Sequence, residues 1–215
     1  MADGYEILSI DDLDRHEGPT ADAPVLLPLR RRLGFRPFGL NCWTAPAVGK
    51  HVIESHSEID GDEELYVVLR GRATFTVAGQ AIEGPVCTLV HVAPGTPREA
   101  IAAEEGTIIL AAGAKPGRVF EPAPWEDFAV AFSLRRSGER DEGRTLVEET
   151  LARHPGEWQG PYNAACFEAL DGETDQAFDY LRRALDLEPK VREYALEDPD
   201  FALIASDPRW NELLG

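Results

Sequence analysis

Up to about residue 124 the apolar positions come in short β-rich runs separated by turn residues: 40–45 (LNCWTA), 51–58 (HVIESHSE), 64–79 (ELYVVLRGRATFTVAG), 87–95 (CTLVHVAPG), 98–106 (REAIAAEEG) and 107–113 (TIILAAG). Gly71, Gly79 and the Pro94-Gly95 pair punctuate them. Many short strands at close spacing, with turn signals between them and no helical stripe from 40 to 113, predict an all-β sandwich or barrel. Ahead of these runs, YEILSI (5–10) predicts an edge strand, followed by an irregular approach containing Pro24 and Pro28. The proline-rich stretch 115–126 (KPGRVFEPAPWE) has no strand pattern and reads as a linker.

Beyond the linker the period changes to that of helices, and the chain repeats itself. An offset of 34 places Ala131 on Ala165, Gly138 on Gly172, Glu139 on Glu173, Asp141 on Asp175, Leu151 on Leu185 and Pro155 on Pro189. In the second helix of each unit, Leu146, Val147, Thr150 and Leu151 become Tyr180, Leu181, Ala184 and Leu185, one helical face each time. Gly138 and Gly172 stand where a helical hairpin reverses, and Pro155 and Pro189 end its second helix. The stretch 162–189 (YNAACFEALDGETDQAFDYLRRALDLEP) resembles the tetratricopeptide family, with Ala165, Gly172, Ala177, Ala184 and Pro189 at its signature places. Asp198-Pro199 and Asp207-Pro208 read as N-cap plus first-turn proline, hence short capping helices. Two units with a cap fall short of a free-standing solenoid, so the repeats are expected to dock on the β domain or on another subunit, as in a dimer, or to bind a protein partner.

The 215 residues therefore divide into a β domain, 1–122, and a helical domain, 123–215. Lys and Arg number 21 against 39 Asp and Glu, a net charge of −18, which argues against nucleic acid or an anionic membrane as partner. Arg30-Arg31-Arg32 is too short to reverse that balance and reads as a solvated edge. Cys42, Cys87 and Cys166 lie far apart with no C-x-x-C, so reduced thiols are expected rather than a zinc knuckle or a disulfide framework. The acidic N-terminus lacks the features of a signal peptide, and no apolar run approaches a membrane span, so the chain reads as cytoplasmic.

The segment from Gly49 to Arg98 resembles the cupins, small jelly-roll barrels recognised by two motifs. Glu64, six residues and then Gly71 (ELYVVLRG) match the end of the first motif, and His56-Ser57-Glu58 falls, one residue out of register, where its His-x-His is found. TLVHVAPGTPR (88–98) matches the second motif, with Pro94-Gly95 at its turn, Cys87 in place of the opening glycine and Ala93 in place of a proline. The resemblance, which covers roughly 40–113, implies an all-β jelly-roll barrel, which the tetratricopeptide-like repeats follow as an all-α helical-hairpin domain. It also implies a metal-binding pocket of two His and a Glu from the first motif and a His from the second. His56 matches the first His and Glu64 the Glu, while Glu58 stands for the second His and Arg98 for the third.

Arg98 is the decisive departure, because a guanidinium has no lone pair to offer a metal and instead presents a fork of donors. Two readings stay open. In one, Arg98 neutralises Glu58 and Glu64 in a metal-free pocket and anchors a small anionic or polar ligand. In the other, His56, Glu58 and Glu64 hold a divalent Fe, Mn, Zn or Ni ion in a dioxygenase- or isomerase-type enzyme. Asn41, Trp43 and Tyr66 are candidate cavity-lining residues, whose alternative is ordinary barrel core. His91 lies mid-strand between Val90 and Val92 and faces opposite to them, as a ligand or acid/base group or as a satisfied core histidine. A third reading makes the barrel a scaffold whose repeats bind a protein partner.

Overall fold

The computed structural model describes residues 7–58 and 61–215. They form two compact units, which divide between Ala123 and Pro124.

The first unit contains β1 (Val25–Leu27), α1 (Leu29–Leu33), β2 (Gly39–Thr44), β3 (His51–His56), β4 (Glu63–Arg70), β5 (Arg72–Val77), β6 (Gln80–Pro85), β7 (Leu89–Val92), β8 (Arg98–Ala102) and β9 (Ile108–Ala114). Strand β2 pairs with β9, β3 with β8, β4 with β7 and β5 with β6, all antiparallel. That nesting is one long two-stranded ribbon rolled up on itself, the jelly roll. The cross-pairs β4–β9 and β5–β8 complete two sheets, in the orders β1-β2-β9-β4-β7 and β3-β8-β5-β6. Alternation drives the roll: Ala73 and Phe75 of β5, Val90 and Val92 of β7, and Ala100 and Ala102 of β8 all point into one core. Burying a side chain the size of Phe75, 1% exposed, contributes about 1.5–3 kcal/mol.

Gly71, between β4 and β5, has φ 68°, and a Cβ there would lie 2.6 Å from Thr107 Oγ1, so this turn accepts only glycine. Cys87 also has a left-handed backbone, φ 68°, in the slot where the motif carries glycine.

Two sequence expectations need correction. The edge strand is β1, not YEILSI; from Ile7, 85% exposed, the chain enters a single 3-10 turn, Ile10–Asp12, capped by Ser9. Tyr5 and Glu6 lie outside the described residues. All three residues of β1 are buried, which is why this short segment wins the edge. Strand β6 went unread because only Gly84 of its residues is buried, so it carries no alternation; it forms as the hairpin partner of β5.

The second unit is helical: α2 (Trp125–Ser137), α3 (Arg140–Arg153), α4 (Gln159–Leu170), α5 (Thr174–Leu187), α6 (Val191–Glu197), a 3-10 turn Pro199–Phe201 and α7 (Pro208–Leu214). Helices α2 and α4 start 34 residues apart, as do α3 and α5. Ala165, Ala177 and Ala184 are fully buried in its core, small enough for close helix approach. The Asp198 and Asp207 side chains accept from the backbone N–H of Asp200 (3.0 Å) and Arg209 (2.9 Å), capping the turn and α7 where the Asp-Pro pairs predict. Among the described residues no helix is long and apolar enough to cross a membrane.

Candidate functional site

Register across the first sheet sets the inward side chains in rows. Gly39, Gly113, Glu64 and Val92 form the row at one end. Asn41, Ala111, Tyr66 and Val90 form the next, and Trp43, Ile109 and Val68 the third. On the facing sheet, His56 pairs with Arg98 and Arg98 with Val77. Strand β3 reaches that pairing through a bulge, since the step from Ile53 to His56 opposes only the step from Ala100 to Arg98. The extra residue turns His56 onto the same face as Arg98, a use of bulges familiar beside functional sites. A Cβ on Gly113 would come within 3.0 Å of Glu64 Cγ, so this glycine makes room for the Glu64 side chain.

The result is a polar cluster built around a buried cation. Arg98 is 2% exposed. Its Nε donates to Tyr66 Oη (3.2 Å), one terminal nitrogen donates to the Thr96 carbonyl (3.1 Å), and the other donates to Glu64 Oε2. Tyr66 in turn donates to the same Glu64 oxygen at 2.5 Å. Glu58 Oε1 lies 3.8 Å from the guanidinium. The Glu58 carbonyl accepts from the N–H groups of Gly61 (3.3 Å) and Gly95 (3.1 Å), so the Pro94-Gly95 turn steadies the loop that presents it. His56 donates from Nδ1 to the Glu54 carbonyl (2.8 Å), which directs Nε2 toward Glu58 (3.6 Å) and Glu64 (3.8 Å).

The ionisation states follow from this packing. Burial alone would raise the Glu64 pKa, but hydrogen bonds from His56, Tyr66 and Arg98 outweigh it and hold the carboxyl below its ordinary value. Burial, then the charge of Glu64, pushes Glu58 up. The contact with Glu64 raises His56 against the opposing effect of burial. Burial and Glu64 together push the Tyr66 phenol far up, so it remains a donor.

One nitrogen of His56 and one oxygen each of Glu58 and Glu64 lie within 4.8 Å of one another, the spacing of a three-ligand metal site. The rest of the cluster does not fit a divalent ion. Glu64 Oε2 already receives Tyr66 and the permanently charged Arg98, and a metal on that oxygen would stand beside a guanidinium and compete for the same lone pairs.

His56, Glu58, Glu64, Tyr66 and Arg98 thus come together. The fork of Arg98, read in the sequence as neutralising Glu58 and Glu64 and anchoring a small anionic or polar ligand, is engaged by Glu64, Tyr66 and Thr96, and its charge is matched within the chain. Asn41 lies in the adjoining inward row, but its Oδ1 accepts from the Arg30 N–H (3.4 Å), which ties α1 to β2. Trp43 belongs to the third row, ~13 Å along the strand from Glu64, and packs with the barrel core. His91 is neither ligand nor core residue: it points outward from β7, exposed, and bonds to Glu63. Sequence reasoning missed Thr96 and Gly113. Thr96 acts through its backbone and left no signal, whereas the glycine inside TIILAAG was a legible hint of close approach.

No family model matches the sequence, and no curated protein matches it. Several solved structures match part of the chain. A cupin protein from Bacteroides fragilis is 21% identical over 56% of this chain and 92% of its own, with a TM-score of 0.40. A sugar phosphate isomerase from a cupin superfamily, from Silicibacter pomeroyi, is 15% identical over 51% of this chain and 76% of its own, TM-score 0.44. An uncharacterized conserved protein with a double-stranded beta-helix domain from Klebsiella pneumoniae is 18% identical over 55% and 99%, TM-score 0.42. The jelly roll of this chain rests on its own strand pairing.

Proposed function

We propose that the barrel is a cupin whose metal locus is filled by a protein cation, and that it binds a small polar molecule at the end carrying His56 and Glu58. The observation behind this reading is the buried Arg98 guanidinium bonded to Glu64 and Tyr66. With Arg98 matched by Glu64, the partly exposed groups left at the cluster are the Glu58 carboxylate and the His56 ring. The carboxylate accepts hydrogen bonds and the protonated imidazole donates them, so the ligand class is a hydroxyl-rich molecule, which does both, rather than an anion. The helical unit, in this proposal, is a pair of tetratricopeptide-like hairpins that dimerises the protein or docks a protein partner.

Thermal denaturation of the full chain with monosaccharides and polyols, set against mono- and dicarboxylates, tests the barrel reading. The expected result is stabilisation by a hydroxyl-rich probe alone, lost in Glu58→Gln. Stabilisation by carboxylates instead would overturn it. So would stoichiometric Fe, Mn, Zn or Ni in protein purified without chelator that disappears in His56→Ala.

A further inference from the structure

At the opposite end of β4, ~20 Å along the strand from Glu64, the barrel carries a cavity on its outer face. A register shift creates it. Val68 pairs with Ile109 but Arg70 pairs with Ile108, and the extra residue brings Arg70 beside the outward side chain of Ile108. There the Arg70 guanidinium grips Asp11 through two hydrogen bonds (2.8 and 2.9 Å), strapping the 3-10 turn Ile10–Asp12 across the sheet. Between strap and sheet lies a cavity of about 260 Å³, floored by the buried side chains of Leu13, Leu27 and Ile108. Its rim includes Arg15 and Glu105, neither of which has a hydrogen-bond or ion-pair partner among the described residues.

We propose that this cavity binds a free α-amino acid with an aliphatic side chain, its carboxylate on Arg15, its ammonium on Glu105 and its side chain on the Leu13–Leu27–Ile108 floor. Charge selects the class. Asp11 and Arg70 satisfy each other, which leaves one cation and one anion on the rim. A simple anion would meet Glu105 unfavourably, and a metal ion or an amine would meet Arg15; a wholly apolar molecule would leave both charges unmatched. A zwitterion matches both. A volume of about 260 Å³ leaves room for a molecule as large as leucine. This proposal does not depend on the barrel-end reading.

Calorimetric titration of the full chain with L-leucine is the test. Saturable binding is expected, with 4-methylpentanoate, which lacks the ammonium, and 3-methylbutylamine, which lacks the carboxylate, each weaker by roughly tenfold or more. Arg15→Gln and Glu105→Gln should each weaken leucine by a similar factor without moving the unfolding curve, because both side chains are exposed. His56→Ala should leave leucine affinity unchanged. The proposal is overturned by absence of leucine binding, by equal affinity for either singly charged analogue, by either rim variant binding as well as the parent, or by loss of binding in His56→Ala, which would move the leucine to the barrel end.

Discussion

The two units each contain a buried arginine–glutamate pair, built in opposite senses. In the helical unit Glu168 is buried (2% exposed), and Arg144, partly exposed, reaches in to it with two parallel hydrogen bonds of 2.9 and 2.7 Å. That pair is closed: the fork meets both carboxylate oxygens, and the contact raises the Arg144 pKa. In the barrel the arginine is the interior member, and Glu64 faces toward two further titratable groups, His56 and Glu58. Glu58 adds a second carboxylate that Glu64 repels. The barrel pair therefore keeps beside it a carboxylate, Glu58, that lies 3.8 Å from the guanidinium and makes no hydrogen bond to it.

The largest effect tests the buried cation. Arg98→Met leaves Glu64 unpaired inside the barrel beside Glu58 and should cost about 3–5 kcal/mol in denaturant unfolding. The double variant Arg98→Met with Glu64→Leu should recover most of that loss. A single variant within 1 kcal/mol of the parent would show that Arg98 is not the cation holding the cluster. Arg144→Met should cost less, about 2 kcal/mol, because its pair is partly open to water and solvent screens the carboxylate left behind. Its effect should be confined to stability, with ligand-induced shifts of the barrel unchanged.

The comparison also explains what could be read in the chain. The roll was legible because β5, β7 and β8 alternate cleanly and Gly71 marks the turn that only glycine fits. The partners of Arg98 were partly legible, since the spacing of Glu64 and Tyr66 sets them on one face. Which way the charge of Arg98 would be directed was not, because that depends on Thr96, on the space over Gly113 and on a bulge in β3, none of which follows from residue spacing. His91 was misjudged for a related reason. Alternation correctly set it opposite Val90 and Val92, but only the position of β7 at the edge of its sheet shows that the opposite face is solvent.

A smaller change of opposite sign sharpens the contrast. Glu58 is the surplus carboxylate, raised by burial and by Glu64, so a charged Glu58 disfavours the fold at neutral pH. Glu58→Gln should therefore stabilise the protein, by roughly 0.5–1 kcal/mol, while removing the response to a hydroxyl-rich ligand, the trade between stability and function expected where a group is kept for binding. Unchanged ligand response in that variant would make Glu58 an ordinary solvated acid.

The smallest effect concerns pH. His56 holds its proton more tightly in the folded protein than the ordinary value of 6.5, chiefly through Glu64, so its contribution is full below about 6.5 and is lost as pH rises through the folded value. Glu58, also raised, contributes fully below 4.5 and loses that contribution as pH rises through its folded value. Glu64, held below 4.5, works the other way: its stabilisation is present above 4.5 and disappears as pH falls through its folded value. Replacing His56 by Gln isolates its share: as pH rises through the folded value of His56, the parent should lose stability relative to His56→Gln. Because His56 is about one-third exposed, screening limits the difference to a few tenths of a kcal/mol. Matched unfolding series at several pH values, parent against variant, should show the two curves converging upward in pH; parallel curves would mean that Nε2 of His56 does not hold its proton against the carboxylates at all.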